Sequence, residues 1–149
     1  ASGLECRIIF LDHLSILLSG LDGDERRTID ITMTRLRSLV ERTGIALFLV
    51  SHLKRPNTTD KSHEEGARVT LGQLRGSQAI AQLSDTVIGL ERDQQASDVR
   101  ASTIVRVLKN RYSGETGACS TLNYDLNTCR FNEITTTHDG PEFNPNTDF

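Results

Sequence analysis

The chain has 149 residues, 36% of them hydrophobic and 25% charged, with a formal net charge of −3 at pH 7. This length allows one domain with a sizeable core, and the slightly acidic balance argues against a protein that holds nucleic acid by bulk charge alone. The three cysteines form no CxxC pair and no stretch is long enough to span a membrane, which disfavours a zinc site, a disulfide scaffold and a transmembrane protein.

The first third of the chain predicts a strand, a helix and a second strand. "IIFL" (Ile8 to Leu11) and "IALFLV" (Ile45 to Val50) are short apolar runs, typical of parallel strands buried on both faces. Between them, Glu25 to Thr43 predicts a helix that stops at Gly44. Its apolar stripe recurs every three or four residues, at Ile29, Met33, Leu36, Leu39 and Val40. Such a βαβ unit places its two strands side by side and parallel.

The middle of the chain begins with a polar stretch. From Lys54 to Arg68 the sequence is nearly free of large apolar residues, which predicts a mobile loop. A short helix is predicted from Gln73 to Asp85. A third strand is predicted from Thr86 to Arg92, and a fourth from Ser102 to Tyr112.

The last elements predicted are a hairpin and a tail. The hairpin runs from Ser120 to Glu133, with "DLNT" as its turn, and residues 134–149 have the polar composition of a disordered tail. We therefore predict an α/β domain over residues 1–133, with a mostly parallel sheet, flanking helices and a C-terminal β-hairpin. Because the chain begins at Ala1 and reaches its first strand almost at once, we expect it to be a piece of a longer protein.

Polar residues follow both predicted parallel strands. A hydrophobic strand that ends in an aspartate, here Asp12, is the pattern by which a carboxylate holds a magnesium ion beside a nucleotide's phosphates. The alternative is a helix cap or a turn residue. His52 follows the second strand, and at the same sheet edge it could contact a γ-phosphate. It could equally be a histidine whose ring is bound to a nearby carbonyl.

Basic residues are concentrated in the polar stretch and just after it. The loop contains Lys54, Arg55, Lys61 and Arg68. Arg75 precedes Gly76, and a glycine lets a phosphate approach the backbone while an arginine can bind it with two hydrogen bonds. The alternative is ordinary solvated charge, because acidic residues interrupt the run.

Two cations, Lys109 and Arg111, end the fourth strand and should point to the same side. Such a pair can bind a phosphate, including one held by a neighbouring subunit, as an arginine finger does. The alternative is an edge strand protected by positive charge.

Five stretches together resemble one family: "IIFLDHLS", "LFLVSHLKRP", "KSHEEG", "LRGSQAIAQLSDTVIGLERDQQ" and "VRVLKNRYSGETG". They are similar, in order and spacing, to the helicase half of the primase-helicases of T-seven-type phages. Those proteins are ring helicases of the DnaB class with a RecA-like P-loop NTPase core. The resemblance covers about residues 2–131, and the closing "NTDF" is similar too.

The resemblance implies a nucleotide site shared between subunits. Asp12 would be the Walker B aspartate that binds Mg²⁺, and His52 would be the γ-phosphate sensor. Arg111 would be the arginine finger that acts on the neighbouring subunit's ATP or dTTP, with Lys109 beside it. The residues implied to contact the base or to couple nucleotide to DNA are Arg92, Tyr124 and Gln82.

The resemblance also implies partners. Lys54 and Lys61 would lie in a first loop that contacts single-stranded DNA, and Arg75 and Gly76 in a second. The protein would form a hexameric or heptameric ring in the cytoplasm of the infected bacterium. Phe149 would end a tail that docks on the phage DNA polymerase.

Two features of the family's pattern are missing here. The phosphate-binding loop (GxxxxGKS or GxxxxGKT) and the catalytic glutamate are absent from this sequence, and in the family they lie upstream. The isolated chain is therefore not expected to hydrolyse ATP. The alternative function is a non-catalytic RecA-like module that binds single-stranded DNA or a replication partner.

Overall fold

Two parallel strands joined through a helix form the N-terminal part of the structure. This computed structural model describes residues 6–18, 24–55, 61–75, 78–95 and 102–134. Strand β1 (Ile8–Leu11) is followed by helix α1 (Leu14–Leu18), helix α2 (Glu25–Thr43) and strand β2 (Ala46–Leu49). β1 pairs with β2 in parallel, with Ile8 opposite Ala46, so the predicted βαβ unit is confirmed.

Helix α2 has the predicted bounds because both of its ends are encoded locally. The Asp24 side chain caps the first turn by accepting a hydrogen bond from the backbone N–H of Arg26 at 3.0 Å. Gly44 closes the last turn with a φ of 66°, which favours glycine, and donates its N–H to the carbonyl of Val40.

The core lies where α1 and α2 meet the segments that follow β2. Its buried members are Leu14, Ile29, Met33, Leu74 and Ile80. Burial alternates along β1 and β2, so the prediction that both strands are buried on both faces is wrong. Phe10 is 75% exposed and stacks on Phe48 with ring centroids 4.8 Å apart. The described elements cover only the other face of this strand pair.

The second sheet is antiparallel. Strands β3 (Thr86–Arg92), β4 (Thr103–Asn110), β5 (Gly117–Asp125) and β6 (Arg130–Glu133) pair in that order. A mixed α/β structure is confirmed, as is the C-terminal hairpin, but a mostly parallel sheet is not. The reason is the length of the connections, since a parallel neighbour needs a crossover of about a dozen residues or more and these are shorter.

Helix α3 (Gln78–Leu83) is shorter than the predicted helix, and a 3₁₀ turn at Leu71–Gln73 precedes it. Helix α1 was not predicted. None of the described helices is both long and apolar enough to cross a lipid bilayer. The predicted tail, apart from Ile134, lies outside the described residues.

Candidate functional site

Asp12 and His13 are held at the end of β1 by the neighbouring strand. The N–H of Val50 donates to the carbonyl of Leu11, and the carbonyl of Val50 accepts from the N–H of Leu14, both at 3.0 Å. The two residues between these bonds therefore lie beside the end of β2. Asp12 is exposed to solvent, so its carboxylate is accessible to a ligand.

His52 reaches the same edge from β2. The rings of His13 and His52 meet edge to face, with centroids 4.1 Å apart. The predicted convergence of two strand ends at one edge is thus observed. His13 Nδ1 is buried and has no hydrogen-bond partner among the described residues.

Backbone pairing connects this edge to the second predicted DNA loop. The carbonyl of His52 accepts from the N–H of Arg75 at 3.0 Å, and the N–H of Lys54 donates to the carbonyl of Gln73 at 2.7 Å. Leu53 and Leu74 form an antiparallel bridge between these bonds. Residues 52–54 and residues 73–75 are therefore joined directly through their backbones.

An open pocket of about 610 Å³ lies where these segments meet, and its lining is strongly basic. The lining residues are His52, Leu53, Lys54, Arg55 and Arg75. Three permanent cations and a histidine can bind an anion such as a phosphate. Arg55 was noted only as loop charge in the sequence, because nothing local shows that it turns towards Arg75.

The first predicted DNA loop is tied to the body of the protein on both sides of residues 56–60. His63 Nε2 lies 3.2 Å from the carbonyl of Lys54, and the N–H of Gln94 donates to the carbonyl of Glu64. Lys61 is exposed at the start of this described segment. Gly76 and Phe149 lie outside the described residues.

Arg75 is exposed and has one acidic neighbour. Its Nε lies 3.8 Å from Oε1 of Glu25, in the first turn of α2. More than half of each side chain is exposed, so this ion pair is weak and can exchange for a phosphate.

Lys109 binds the end of α3. Its Nζ donates to the carbonyls of Ala81, Gln82 and Ser84 at 2.7, 3.1 and 2.8 Å. An ammonium group has three donors, so this set uses all of them. In this arrangement Lys109 caps a helix C-terminus, where a cation is favourable. Gln82 meets Lys109 through its backbone, while its side chain lies on the exposed side of α3.

Arg111 lies beside Lys109 and binds Asp85, which also binds Arg37 of α2. Arg111 Nη1 is 3.2 Å from Asp85 Oδ1, and Arg37 Nη1 is 2.7 Å from Asp85 Oδ2. The hydrogen bond from Arg37, followed by that from Arg111, holds the pKa of Asp85 below its usual value, against the effect of partial burial. Sequence reasoning missed Asp85 and Arg37. The only local signal was a polar Ser-Asp pair directly before β3.

Arg92 and Tyr124 lie at the opposite end of the antiparallel sheet. Arg92 pairs with Thr103, which pairs with Leu122, and Tyr124 is two residues further along β5. Arg92 and Tyr124 therefore share a face. Tyr124 packs edge to face on Phe131, with centroids 5.1 Å apart. Strand β4 is roughly 24 Å long, so this end cannot share one nucleotide with Arg111 of the same chain.

Asp12 is the carboxylate at this strand edge that could hold a metal ion. No group of three or more His, Cys, Asp or Glu side chains is placed to bind a metal in the part of the chain that the structure describes. One exposed carboxylate nevertheless fits Mg²⁺, which takes one or two carboxylates and completes its shell with water and substrate phosphates. Asp12 is exposed and could serve as such a carboxylate, whereas the described residues supply no set of side chains of the kind that holds zinc or calcium without a substrate.

Comparison with known proteins identifies a family and a relative. A family model described as "DnaB-like helicase C terminal domain" matches residues 2–133. The chain is also 45% identical over 128 residues to a protein of Enterobacteria phage T3 described as "DNA helicase/primase". That alignment covers 85% of this chain and 22% of the phage T3 protein.

Proposed function

Because the chain belongs to the DnaB-like helicase C-terminal domain family, we propose that it is the C-terminal part of the motor core of a phage replicative helicase. That core would be RecA-like, and the complete protein would couple nucleoside triphosphate hydrolysis to movement along single-stranded DNA and duplex unwinding. It would work in the cytoplasm of the infected bacterium. The chain spans only 22% of the phage T3 relative, so the activity is proposed for the complete protein.

The observation that carries this proposal is the backbone link between His52 and Arg75. His52 stands at the strand edge beside Asp12, where a nucleotide's phosphates would lie, and Arg75 stands in the basic pocket. A helicase needs such a connection because the state of its nucleotide must change its grip on DNA. In a pure binding module the same backbone pairing would serve only to hold the basic segment in place.

The nucleotide side of the site would be built on β1 and β2. Asp12 would hold Mg²⁺. The ion would neutralise charge on the phosphates of ATP or dTTP while the γ-phosphoryl group is transferred to water. His52 would hydrogen-bond the γ-phosphate, and its displacement on phosphate release would move residues 52–54. Arg92 and Tyr124 present a planar guanidinium and a ring on one sheet face, a suitable pair for contact with a base.

The DNA side would be the basic pocket and the loops that flank it. Lys54, Lys61 and Arg75 would contact phosphates of the single strand, and Gly76 would allow close approach of the backbone. These contacts would be made to phosphates and to no base, so they would not depend on the DNA sequence. This suits a protein that must move along any sequence.

The arginine finger, Arg111, would complete the nucleotide site of a neighbouring subunit. Arg111 lies roughly one sheet length from Arg92 and Tyr124, so the two groups would serve different nucleotides. A closed hexameric or heptameric ring places each Arg111 at the nucleotide of the adjacent subunit.

The test uses the complete protein with Mg²⁺ and either ATP or dTTP. We expect single-stranded DNA to stimulate hydrolysis, and a forked duplex to be unwound only when hydrolysis proceeds. Asp12→Asn should abolish both while single-stranded DNA binding persists. Glu133→Gln, which changes an exposed acid on β6, is the matched control and should retain both activities.

One pattern of results would support the alternative function instead. If the protein bound single-stranded DNA with the same affinity with and without nucleotide, and Asp12→Asn changed nothing, the chain would be a non-catalytic module.

A further inference from the structure

Asp85 holds Arg111 through two different groups. Its backbone carbonyl accepts the N–H of Arg111 at 2.8 Å, and its Oδ1 accepts Nη1 of the same residue at 3.2 Å. The start and the tip of the Arg111 side chain are therefore both fixed to one residue, at the junction between α3 and β3.

The Asp85 carboxylate is itself anchored to α2. Its other oxygen, Oδ2, accepts Nη1 of Arg37 at 2.7 Å. Arg37 is held in turn, because its Nε donates to Oε1 of Glu41 at 2.7 Å. With one oxygen engaged by α2, the carboxylate cannot rotate freely, and the direction that it gives to Arg111 is set by the helix.

The Arg37–Asp85 ion pair is shorter than the Arg111–Asp85 ion pair, and Arg37 is less exposed than Arg111. Arg37 and Asp85 are 26% and 29% exposed, whereas Arg111 is 55% exposed and its bond to Asp85 is 0.5 Å longer. The bond to Asp85 uses one of the five N–H donors of the guanidinium. The group can thus keep its orientation and still offer donors to a phosphate outside the chain.

We propose that Asp85 is a positioning residue that aims the Arg111 guanidinium at the nucleotide of the neighbouring subunit. This inference rests on the proposed function, in which Arg111 acts between subunits. Asp85 touches no nucleotide in this arrangement. Its contribution is to remove the rotamer freedom of a long side chain before the transition state forms, as preorganised groups do.

The first test separates positioning from binding. In the complete protein, Asp85→Ala should lower kcat for hydrolysis about ten- to a hundredfold, while KM for the nucleotide changes little. Glu133→Ala, which removes an exposed carboxylate on β6 that contacts neither Arg37 nor Arg111, is the matched control and should stay within about twofold. Equal falls in kcat for the two variants would overturn the proposal.

The decisive test mixes subunits. Rings are formed from equal amounts of Asp85→Ala and Asp12→Ala proteins, and hydrolysis is measured without DNA. If Asp85 acts through Arg111, about a quarter of the interfaces combine an intact nucleotide side with an intact finger, and activity rises above that of either variant alone. If Asp85 acts on its own subunit's nucleotide, every interface carries a defect and no activity returns.

Two further mixtures make the outcomes distinguishable. Arg111→Ala mixed with Asp12→Ala should recover activity in the same way, and its failure would overturn the proposed site between subunits. If that mixture recovers activity but the mixture of Asp85→Ala with Asp12→Ala does not, only the role proposed for Asp85 is overturned. Asp85→Asn keeps the shape of the side chain. If rings that combine Asp85→Asn with Asp12→Ala assemble but show no recovery of hydrolysis, the proposal is overturned equally.

Discussion

The rings of His13 and His52 lie edge to face, 4.1 Å between centroids, although 39 positions separate the two residues in the chain. This contact joins the ends of two parallel strands. It also gives His52 a neighbour that limits the rotation of its ring.

His52→Ala should uncouple hydrolysis from DNA. We expect the complete protein to bind single-stranded DNA but to lose stimulation of hydrolysis by it, because the γ-phosphate contact that moves residues 52–54 is gone. The measurement is the hydrolysis rate with and without single-stranded DNA. His52→Gln keeps a polar group of similar reach and should retain part of the stimulation. Full stimulation in the alanine variant would refute the sensor role.

Arg75→Ala should weaken single-stranded DNA binding and reduce its salt dependence. One phosphate contact fewer lowers the slope of log Kd against log salt by about 0.7 for a single strand. Arg42→Ala is the matched control, since it removes the same charge about 25 Å away at the other end of α2. Binding is measured by fluorescence anisotropy over a salt series. An identical slope in both variants would assign Arg75 to the solvated surface.

Lys109→Met distinguishes capping from nucleotide binding. If Lys109 caps α3 as the three carbonyl contacts indicate, hydrogen exchange in α3 should accelerate while KM for the nucleotide stays nearly constant. Lys109→Arg keeps the charge at the helix C-terminus but replaces the compact ammonium group with a planar guanidinium, so it should accelerate exchange less than the methionine variant does. A raised KM with unchanged exchange would favour the nucleotide-binding role that the family resemblance implies.

The ion pair between Glu91 and Arg106 should stabilise the antiparallel sheet. Glu91 is 4% exposed and takes two hydrogen bonds from Arg106, at 2.7 and 3.0 Å, and one from the N–H of Val69. Arg106→Met leaves this carboxylate buried without its counter-charge, which should cost about 3 kcal/mol of unfolding free energy. Glu133→Gln, at an exposed site on the same sheet, should cost less than about 0.5 kcal/mol.

The same pair predicts a pH dependence. The hydrogen bonds from Arg106 lower the pKa of Glu91, so the folded-state pKa lies below the unfolded-state value. The stabilisation is then fully present above the unfolded value, about 4.3, and is lost as pH falls through the folded value. Thermal unfolding of the wild type should show this loss of stability as pH falls. The Glu91→Gln variant should lose less stability over the same pH range. Parallel curves for the two proteins would contradict the assignment.

Phe149 should matter for partner binding alone. If Phe149 docks on the phage DNA polymerase, as the family resemblance implies, we expect its ring to enter a small apolar pocket ringed by basic residues on that polymerase. Removing Phe149 should weaken polymerase binding at low and moderate salt. Hydrolysis and unwinding in the same preparation serve as the control and should not change. Equal affinities at both salts would leave the tail as a spacer.

Features encoded in neighbouring residues were predictable from the sequence. The bounds of α2 follow from Asp24, the apolar stripe and Gly44, all within one segment, and β3 has the predicted limits. The family resemblance is confirmed by the family match and the 45% identity, because linked motifs in a fixed order carry far more information than any one of them.

What the sequence could not predict depends on distant contacts. Arg37 and Asp85 are 48 positions apart, and no local pattern shows that a helix arginine meets the residue before a strand. The exposure of Phe10 also escaped prediction, since an apolar run has the same composition whether one face or two are covered. The Lys109 and Arg111 side chains both contact residues 81–85, whereas their spacing predicted only that they point to the same side.

The pairing of residues 52–54 with 73–75 runs through peptide groups, and this has an evolutionary consequence. Most substitutions in either segment keep the backbone N–H and therefore leave both hydrogen bonds in place, so the connection between the two segments does not depend on which side chains they carry. Proline at Lys54 or Arg75 is the exception, because it deletes the donor itself. Among relatives, we therefore expect proline to be excluded at positions 54 and 75, whatever other residues those positions accept.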